Sequence, residues 1–171
     1  MLFAKGYGLT DSKNPSSPEI DINSKFEIGS ITKQITASAI MQLQEKKLLS
    51  VDDKLSKYFP EYNDGDKITI KNLLSMRSGI DSSLYFSEEL TSEALKVLES
   101  GNHLDDSFWL KFLNSKPLKK EPGKSFAYNN LNYILLSKII EKYETQKPFS
   151  DIEKQRKLRT ELKNLMWENA G

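Results

Sequence analysis

Residues 26–48 read FEIGSITKQITASAIMQLQEKKL, and their pattern predicts a helix over residues 30–47. At about 100° per residue, its apolar side chains spread over most of the circumference. Lys33 is the only charged residue from position 30 to position 44. A helix that is apolar on most sides is normally buried on most sides. We therefore expect this helix to lie inside the fold and Lys33 to enter the fold with it.

Ser30 opens this helix and Lys33 follows three residues later, so their side chains are expected to be neighbours. Burial disfavours the charged form of an ammonium group. A neutral lysine can take the proton of a serine hydroxyl and make the serine a nucleophile. Free backbone N–H groups in the first turn of a helix also favour developing negative charge. The pair predicts that Ser30 is a nucleophile and that Lys33 activates it.

The alternative is that Ser30 caps the helix and Lys33 faces solvent. With 20 serines and 22 lysines in the chain, about 2.6 Ser-x-x-Lys matches are expected by chance, so the bare pattern has little specificity. The sequence holds one such match, and its position at the start of an apolar helix favours the catalytic interpretation.

A second polar pair, Tyr128 and Asn130, follows the Pro122-Gly123 turn and precedes an apolar helix predicted over residues 131–143. A loop between such elements often carries functional side chains. The tyrosine could transfer a proton to a leaving group, and the asparagine could bond a substrate amide. The alternative is that Tyr128 packs in the core and Asn130 caps the helix.

Ser-x-x-Lys followed at this distance by Tyr-x-Asn resembles the serine β-lactamase and penicillin-binding protein superfamily. The likeness is strongest to its class C β-lactamase, D-alanyl-D-alanine carboxypeptidase and esterase branch. It covers about residues 2–150. Residues 68–80, ITIKNLLSMRSGI, are similar to a segment that usually reads Leu-Leu-x-His-Thr-Ser-Gly, with Met76 and Arg77 in place of the His-Thr pair.

The segment FAYNNLNYILLSKIIEK, residues 126–142, is similar to the Tyr-Ser-Asn-x-Gly-Tyr helix of the same superfamily. Asn129 stands where that pattern has serine, and Asn132 stands where it has glycine.

The resemblance implies roles for four residues. Ser30 would be the acylated nucleophile, and its own backbone N–H would form half of the oxyanion hole. Lys33 and Tyr128 would share activation of the serine and protonation of the leaving group, and Asn130 would orient the substrate. The reaction would be acyl transfer on an amide or ester. Whether the substrate is a β-lactam, a D-Ala-D-Ala peptide or a small ester stays open. We expect no metal and no cofactor.

The resemblance also implies a helix-rich α+β chain with a partial β-lactamase/transpeptidase-like fold. It would comprise a helical subdomain, the nucleophile helix and a few strands of an incomplete antiparallel sheet. Residues 1–150 would form this domain, and residues 151–171 a charged, helical tail. Strands are expected at 2–9 and 68–70, and helices at 71–77 (capped by Thr69 and ended by Gly79), 91–99 and 105–113.

Family members are longer, and the third motif of the family, Lys-Thr-Gly or His-x-Gly, does not occur in the sequence. The chain therefore resembles a family member truncated at both ends. We expect one apolar face to be left uncovered, and such a patch can mediate association.

Composition excludes several classes of function. The net charge of +1 gives no reason to expect a nucleic-acid or anionic-membrane partner. The absence of cysteine excludes thiol chemistry, and His103, the single histidine, is expected to be a polar loop residue. No apolar run is long enough to span a membrane or to form a signal peptide. The compartment stays open, because the resemblance implies an extracytoplasmic protein.

Three interpretations remain after the sequence alone. The first is a serine hydrolase of the β-lactamase type, with weak or no activity in this chain. The second is a non-catalytic remnant or binding module of the same family. The third is an unrelated helix-rich interaction domain in which both motifs are accidental, and it requires Ser30 and Tyr128 to lie far apart.

Overall fold

The computed structural model describes residues 3–145 of the 171-residue chain. The chain divides into two compact units, one containing Met1–Ser30 and the other formed by Ile31–Glu144. The predicted tail, residues 151–171, lies outside the described residues.

The described part of the first unit is organised by a turn that brings Leu9 opposite Glu19 in an isolated antiparallel bridge. The Ile20 N–H donates to the carbonyl oxygen of Gly8 at 2.8 Å beside this bridge. Gly8 has a φ of 84°, in the left-handed region that glycine adopts without strain. The strand predicted over 2–9 is therefore wrong, because this left-handed residue interrupts the extended backbone and leaves a single bridge.

The second unit is helical. Within residues 3–145 the α-helices are α1 (Thr32–Glu45), α2 (Ile70–Leu74), α3 (Glu88–Glu99), α4 (Asp106–Asn114) and α5 (Asn130–Thr145). Short 3-10 helices occupy Gly29–Ile31, Leu55–Lys57, Gly65–Lys67 and Ser82–Phe86. The helices predicted at 91–99, 105–113 and 131–143 are confirmed by α3, α4 and α5. None of the helices in the described part of the chain is long and apolar enough to cross a bilayer.

The core of this unit lies around one face of α5. Leu131, Leu135 and Ile139 are spaced four residues apart, so they share that face, and each is buried. Burial of a side chain of this size stabilises the fold by about 1.5–3 kcal/mol. These residues belong to one buried core cluster, whose other members include Ile40, Leu55, Phe59, Ile68, Leu73, Trp109, Phe112 and Leu113.

Thr69 caps α2, as the sequence predicts. Its side chain accepts a hydrogen bond from the Asn72 N–H at 3.2 Å, and the Asn72 side chain accepts one from the Thr69 N–H at 3.0 Å. This reciprocal pair is a capping box. The strand predicted over 68–70 is wrong, because the cap turns the chain into a helix at Ile70 and leaves only an isolated bridge between Thr69 and Lys54.

The predicted end of α2 is also wrong. The helix ends at Leu74 rather than continuing to residue 77. The physical reason is Met76, which has a φ of 57° and so cannot continue a right-handed helix. Gly79, the predicted terminator, has a φ of 80° and lies in the segment that follows.

Helix α1 is less buried than its composition predicts. Ile40 and Leu43 are its buried residues, whereas Ile31 is 53% exposed and Ile35 is 44% exposed. The expectation that this helix is covered on most sides is therefore wrong. The face that carries Ile40 and Leu43 packs into the core cluster, whereas Ile35, together with Ile31 just before the helix, forms an uncovered apolar face.

Candidate active site

Lys33 lies in the first turn of α1 and is half-buried. Its Nζ donates a hydrogen bond of 2.7 Å to Oδ1 of Asn130, the first residue of α5. The two residues are 97 positions apart in the chain. The structure therefore brings together one residue from each of the two motifs.

Two tyrosine rings lie against the same lysine amine. Nζ of Lys33 is 5.0 Å from the ring centroid of Tyr128 and 5.8 Å from that of Tyr133, within the range of a cation–π interaction. The Tyr133 hydroxyl donates to the carbonyl oxygen of Leu74 at 3.2 Å. Burial, and secondarily the nearby Tyr128, raise the pKa of Tyr133, so its phenol stays neutral at physiological pH. Sequence reasoning missed Tyr133, although its position one turn after Asn130 places it on the same side of α5.

Asn129 fixes the start of α5. Its buried side chain accepts a hydrogen bond from the Leu131 N–H at 2.9 Å and donates one to the carbonyl oxygen of Ile80 at 3.2 Å. The alternative that Asn130 caps the helix is therefore wrong. The neighbouring asparagine does so, and Asn130 is left to contact Lys33.

The segment Met76–Ile80 runs beside the chain that leads to Tyr128. The Ala127 N–H donates to the carbonyl oxygen of Met76 at 2.9 Å, and the Gly123 N–H donates to that of Arg77 at 2.8 Å. These backbone hydrogen bonds fix the residues before Tyr128, although no strand is formed there.

Gly79 lies where the segment Met76–Ile80 meets the chain that leads to Tyr128, and only glycine fits there. We expect Gly79→Ala to lower the free energy of unfolding by at least about 3 kcal/mol. Its φ of 80° is unfavourable for a side chain, and a Cβ would lie 2.0 Å from the carbonyl oxygen of Lys120. Thermal unfolding followed by circular dichroism should show a fall in the midpoint of roughly 6–12 °C.

Gly101→Ala is the matched control. Gly101 has a similar φ of 77°, but a Cβ there would meet nothing within 4 Å, so only the cost of the backbone conformation applies. We expect a loss of about 1–2 kcal/mol for this control. Equal losses for the two variants would contradict the proposed clash with Lys120.

Ser30 is the last residue of the first unit. It lies in the 3-10 helix Gly29–Ile31, immediately before α1 in the chain, and it is exposed. Gly29 has a φ of 50°, so the residue before the predicted nucleophile also uses the left-handed conformation.

The other residues singled out in the sequence lie outside the cluster of Lys33, Tyr128 and Asn130. His103 is exposed in the loop between α3 and α4, as expected. Arg77 is exposed, and its Nη1 donates to the carbonyl oxygen of Lys124 at 3.3 Å.

Comparison with known proteins relates the chain to a family. A family model described as Beta-lactamase matches residues 1–170. Protein flp of Staphylococcus aureus (strain COL) is 34% identical over 153 residues, which cover 85% of this chain and 28% of that protein.

Two solved structures are similar to the chain. One is an octameric penicillin-binding protein homologue from Pyrococcus abyssi, with a TM-score of 0.59 and 31% identity, over 82% of this chain and 32% of that one. The other is a D-stereospecific amidohydrolase from Streptomyces sp., with a TM-score of 0.56 and 31% identity, over 68% of this chain and 36% of that one. The chain thus spans about a third of the length of these relatives and shares their fold over that part.

Proposed function

The chain belongs to the Beta-lactamase family, and on that premise we propose that it accepts acyl groups from an amide or ester on Ser30. The observation that carries the proposal is the cluster around Lys33. Its Nζ is 2.7 Å from Oδ1 of Asn130 and 5.0 Å from the ring centroid of Tyr128, so residues from two distant motifs meet at one amine. This contact is difficult to reconcile with two accidental motifs.

The proposed reaction has two steps. Oγ of Ser30 attacks the substrate carbonyl and its proton passes to Nζ of Lys33. The bond between the carbonyl carbon and the leaving nitrogen or oxygen then breaks, and the leaving group takes a proton from Lys33 or Tyr128. Water releases the acyl group from Ser30 in the second step. Asn130 both holds the lysine amine and presents an amide to the substrate.

We propose that this acylation is slow. No Lys-[Ser/Thr]-Gly or His-x-Gly triplet occurs in the 171 residues. The resemblance implies that the strand carrying this triplet supplies the second donor of the oxyanion hole, and loss of one such donor costs roughly 10²–10³ in rate. The same observation favours the alternative of a non-catalytic remnant or binding module. An amide substrate is supported by the relatives named above, one a D-stereospecific amidohydrolase and one a penicillin-binding protein homologue.

We infer that the chain contributes the helical subdomain, the nucleophile helix and part of an antiparallel sheet. The sheet is supported by the antiparallel bridge between Leu9 and Glu19 in the first unit. The exposed Ile31 and Ile35 support association through the uncovered face of α1.

The test is acylation of the purified chain by a fluorescent penicillin, followed on a denaturing gel and by intact mass over several hours. We expect a covalent adduct that forms slowly, and peptide mapping should place it on Ser30. A chain unfolded in denaturant is the control and should form no adduct. A folded chain that acquires no adduct would favour the non-catalytic alternative.

A further inference from the structure

Asn132 is a fully buried asparagine whose two polar atoms both have partners. The hydroxyl of Ser78 donates to its Oδ1 at 2.6 Å, and its Nδ2 donates to Sδ of Met76 at 3.2 Å. A buried amide without such partners would be strongly destabilising, so these contacts determine where this side chain can lie. One asparagine of α5 is thereby attached to the segment Met76–Ile80.

Met76 is itself held in an unusual conformation. It is buried, and its φ of 57° is rare for a residue other than glycine. Such a conformation persists only where its surroundings fix it. Here its carbonyl oxygen accepts from the Ala127 N–H at 2.9 Å, and its sulfur accepts from Asn132. The segment is therefore a fixed support for the start of α5.

Two asparagines on either side of Asn130 are bound to this support. Asn129 donates to the carbonyl oxygen of Ile80, and Asn132 is bound to Ser78 and Met76. Asn132 follows Asn130 by two residues, which is about 200° around a helix. Anchoring of Asn132 on the core side therefore directs Asn130 to the other side of the helix, where it meets Lys33.

These contacts involve residues that set this sequence apart. Met76 and Asn132 are two of the positions at which the chain departs from the superfamily pattern described above. In the structure the two departures contact each other.

We propose that Asn132 is a positioning residue, which Ser78 and Met76 hold so that Asn130 stays within hydrogen-bonding distance of Lys33. The catalytic meaning of this arrangement rests on the proposed function. The structural part, that Asn132 controls the contact between Asn130 and Lys33, can be tested without catalysis.

The first experiment measures how fast an amine reagent modifies each lysine in the folded chain, with mass spectrometry of the peptides. Asn132→Leu keeps the branching of the side chain, with larger terminal groups, and removes both hydrogen bonds. We expect modification of Lys33 to become several-fold faster in this variant, because the contact with Asn130 loosens. Lys57, which is 2.8 Å from Asp53 and 5.5 Å from the ring centroid of Tyr58, is the internal reference and should not change.

Ile139→Val is the matched control, because Ile139 is fully buried on the same helix and has no polar contact with the support. We expect this variant to be less stable but to show an unchanged rate of Lys33 modification. If Asn132→Leu does not fold, Met76→Leu is the variant that tests the proposal. It removes only the sulfur that accepts the Asn132 hydrogen bond, and it should also make modification of Lys33 faster. An unchanged rate in a folded Asn132→Leu or Met76→Leu chain would overturn the proposal.

The second experiment measures acylation by the fluorescent penicillin in the same variants. A small displacement of a catalytic group can cost about 10²-fold in rate. We expect a loss of this order for Asn132→Leu and no loss for Ile139→Val. If the unaltered chain forms no adduct, the proposed function fails, and the lysine rates still decide the role of Asn132.

Discussion

Ser30→Ala is expected to abolish covalent labelling by the fluorescent penicillin while the chain stays folded. Without the hydroxyl there is no oxygen at this position to accept the acyl group. Ser30 is exposed in the 3-10 helix Gly29–Ile31, so its replacement should change the free energy of unfolding by no more than about 0.5 kcal/mol. In-gel fluorescence and intact mass measure the adduct, and circular dichroism measures the fold.

Ser38→Ala is the matched control for this prediction. Ser38 is an exposed serine of α1, and its hydroxyl donates to the carbonyl oxygen of Gln34 at 2.9 Å. This variant should be labelled at the rate of the unaltered chain. An adduct of equal amount in the Ser30→Ala variant would place the acylated residue elsewhere and would remove the basis of the proposed function.

Lys33→Arg should slow acylation by about 10²–10⁴-fold, the usual contribution of a general base. Arginine can donate to Asn130 and lie against the ring of Tyr128. Its guanidinium cannot give up its proton in a protein, so it cannot take one from Ser30. The variant therefore separates the hydrogen bond to Asn130 from the capacity to carry a proton. The rate of adduct formation measures the effect, and thermal unfolding should change little.

Lys57→Arg is the control, because Lys57 also combines a hydrogen-bonded oxygen at 2.8 Å with a tyrosine ring at 5.5 Å. It lies outside the candidate site, so its replacement should leave the acylation rate unchanged. Acylation of the Lys33→Arg variant at an undiminished rate would mean that Lys33 positions Asn130 but carries no proton.

The features that sequence predicts well are those set by local chemistry. Thr69 caps α2 because its hydroxyl and the Asn72 side chain can satisfy two backbone N–H groups within one turn. Helix α5 follows from apolar residues at helical spacing. The roles of Lys33, Tyr128 and Asn130 followed from the resemblance and stay predictions, because the spacing alone does not bring distant residues together.

The features that sequence misses depend on contacts between distant segments. The left-handed conformation of Met76 is held by Ala127 and Asn132, which lie more than 50 residues further along the chain. No local pattern reveals such support. The burial of α1 was overestimated for a related reason, since apolar composition shows which faces can be buried and not which faces meet a neighbour.

The hydrogen bond between Lys33 and Asn130 closes a loop of 97 residues, so it can form only after most of the chain has been made. Closing so long a loop costs more conformational entropy than forming the local turns, and non-local contacts of this kind form slowly. During synthesis, α1 leaves the ribosome long before α5 is made. The face of α1 that carries Ile40 and Leu43 is then exposed in the nascent chain, and the contact with Asn130 becomes a marker of the late stage of folding.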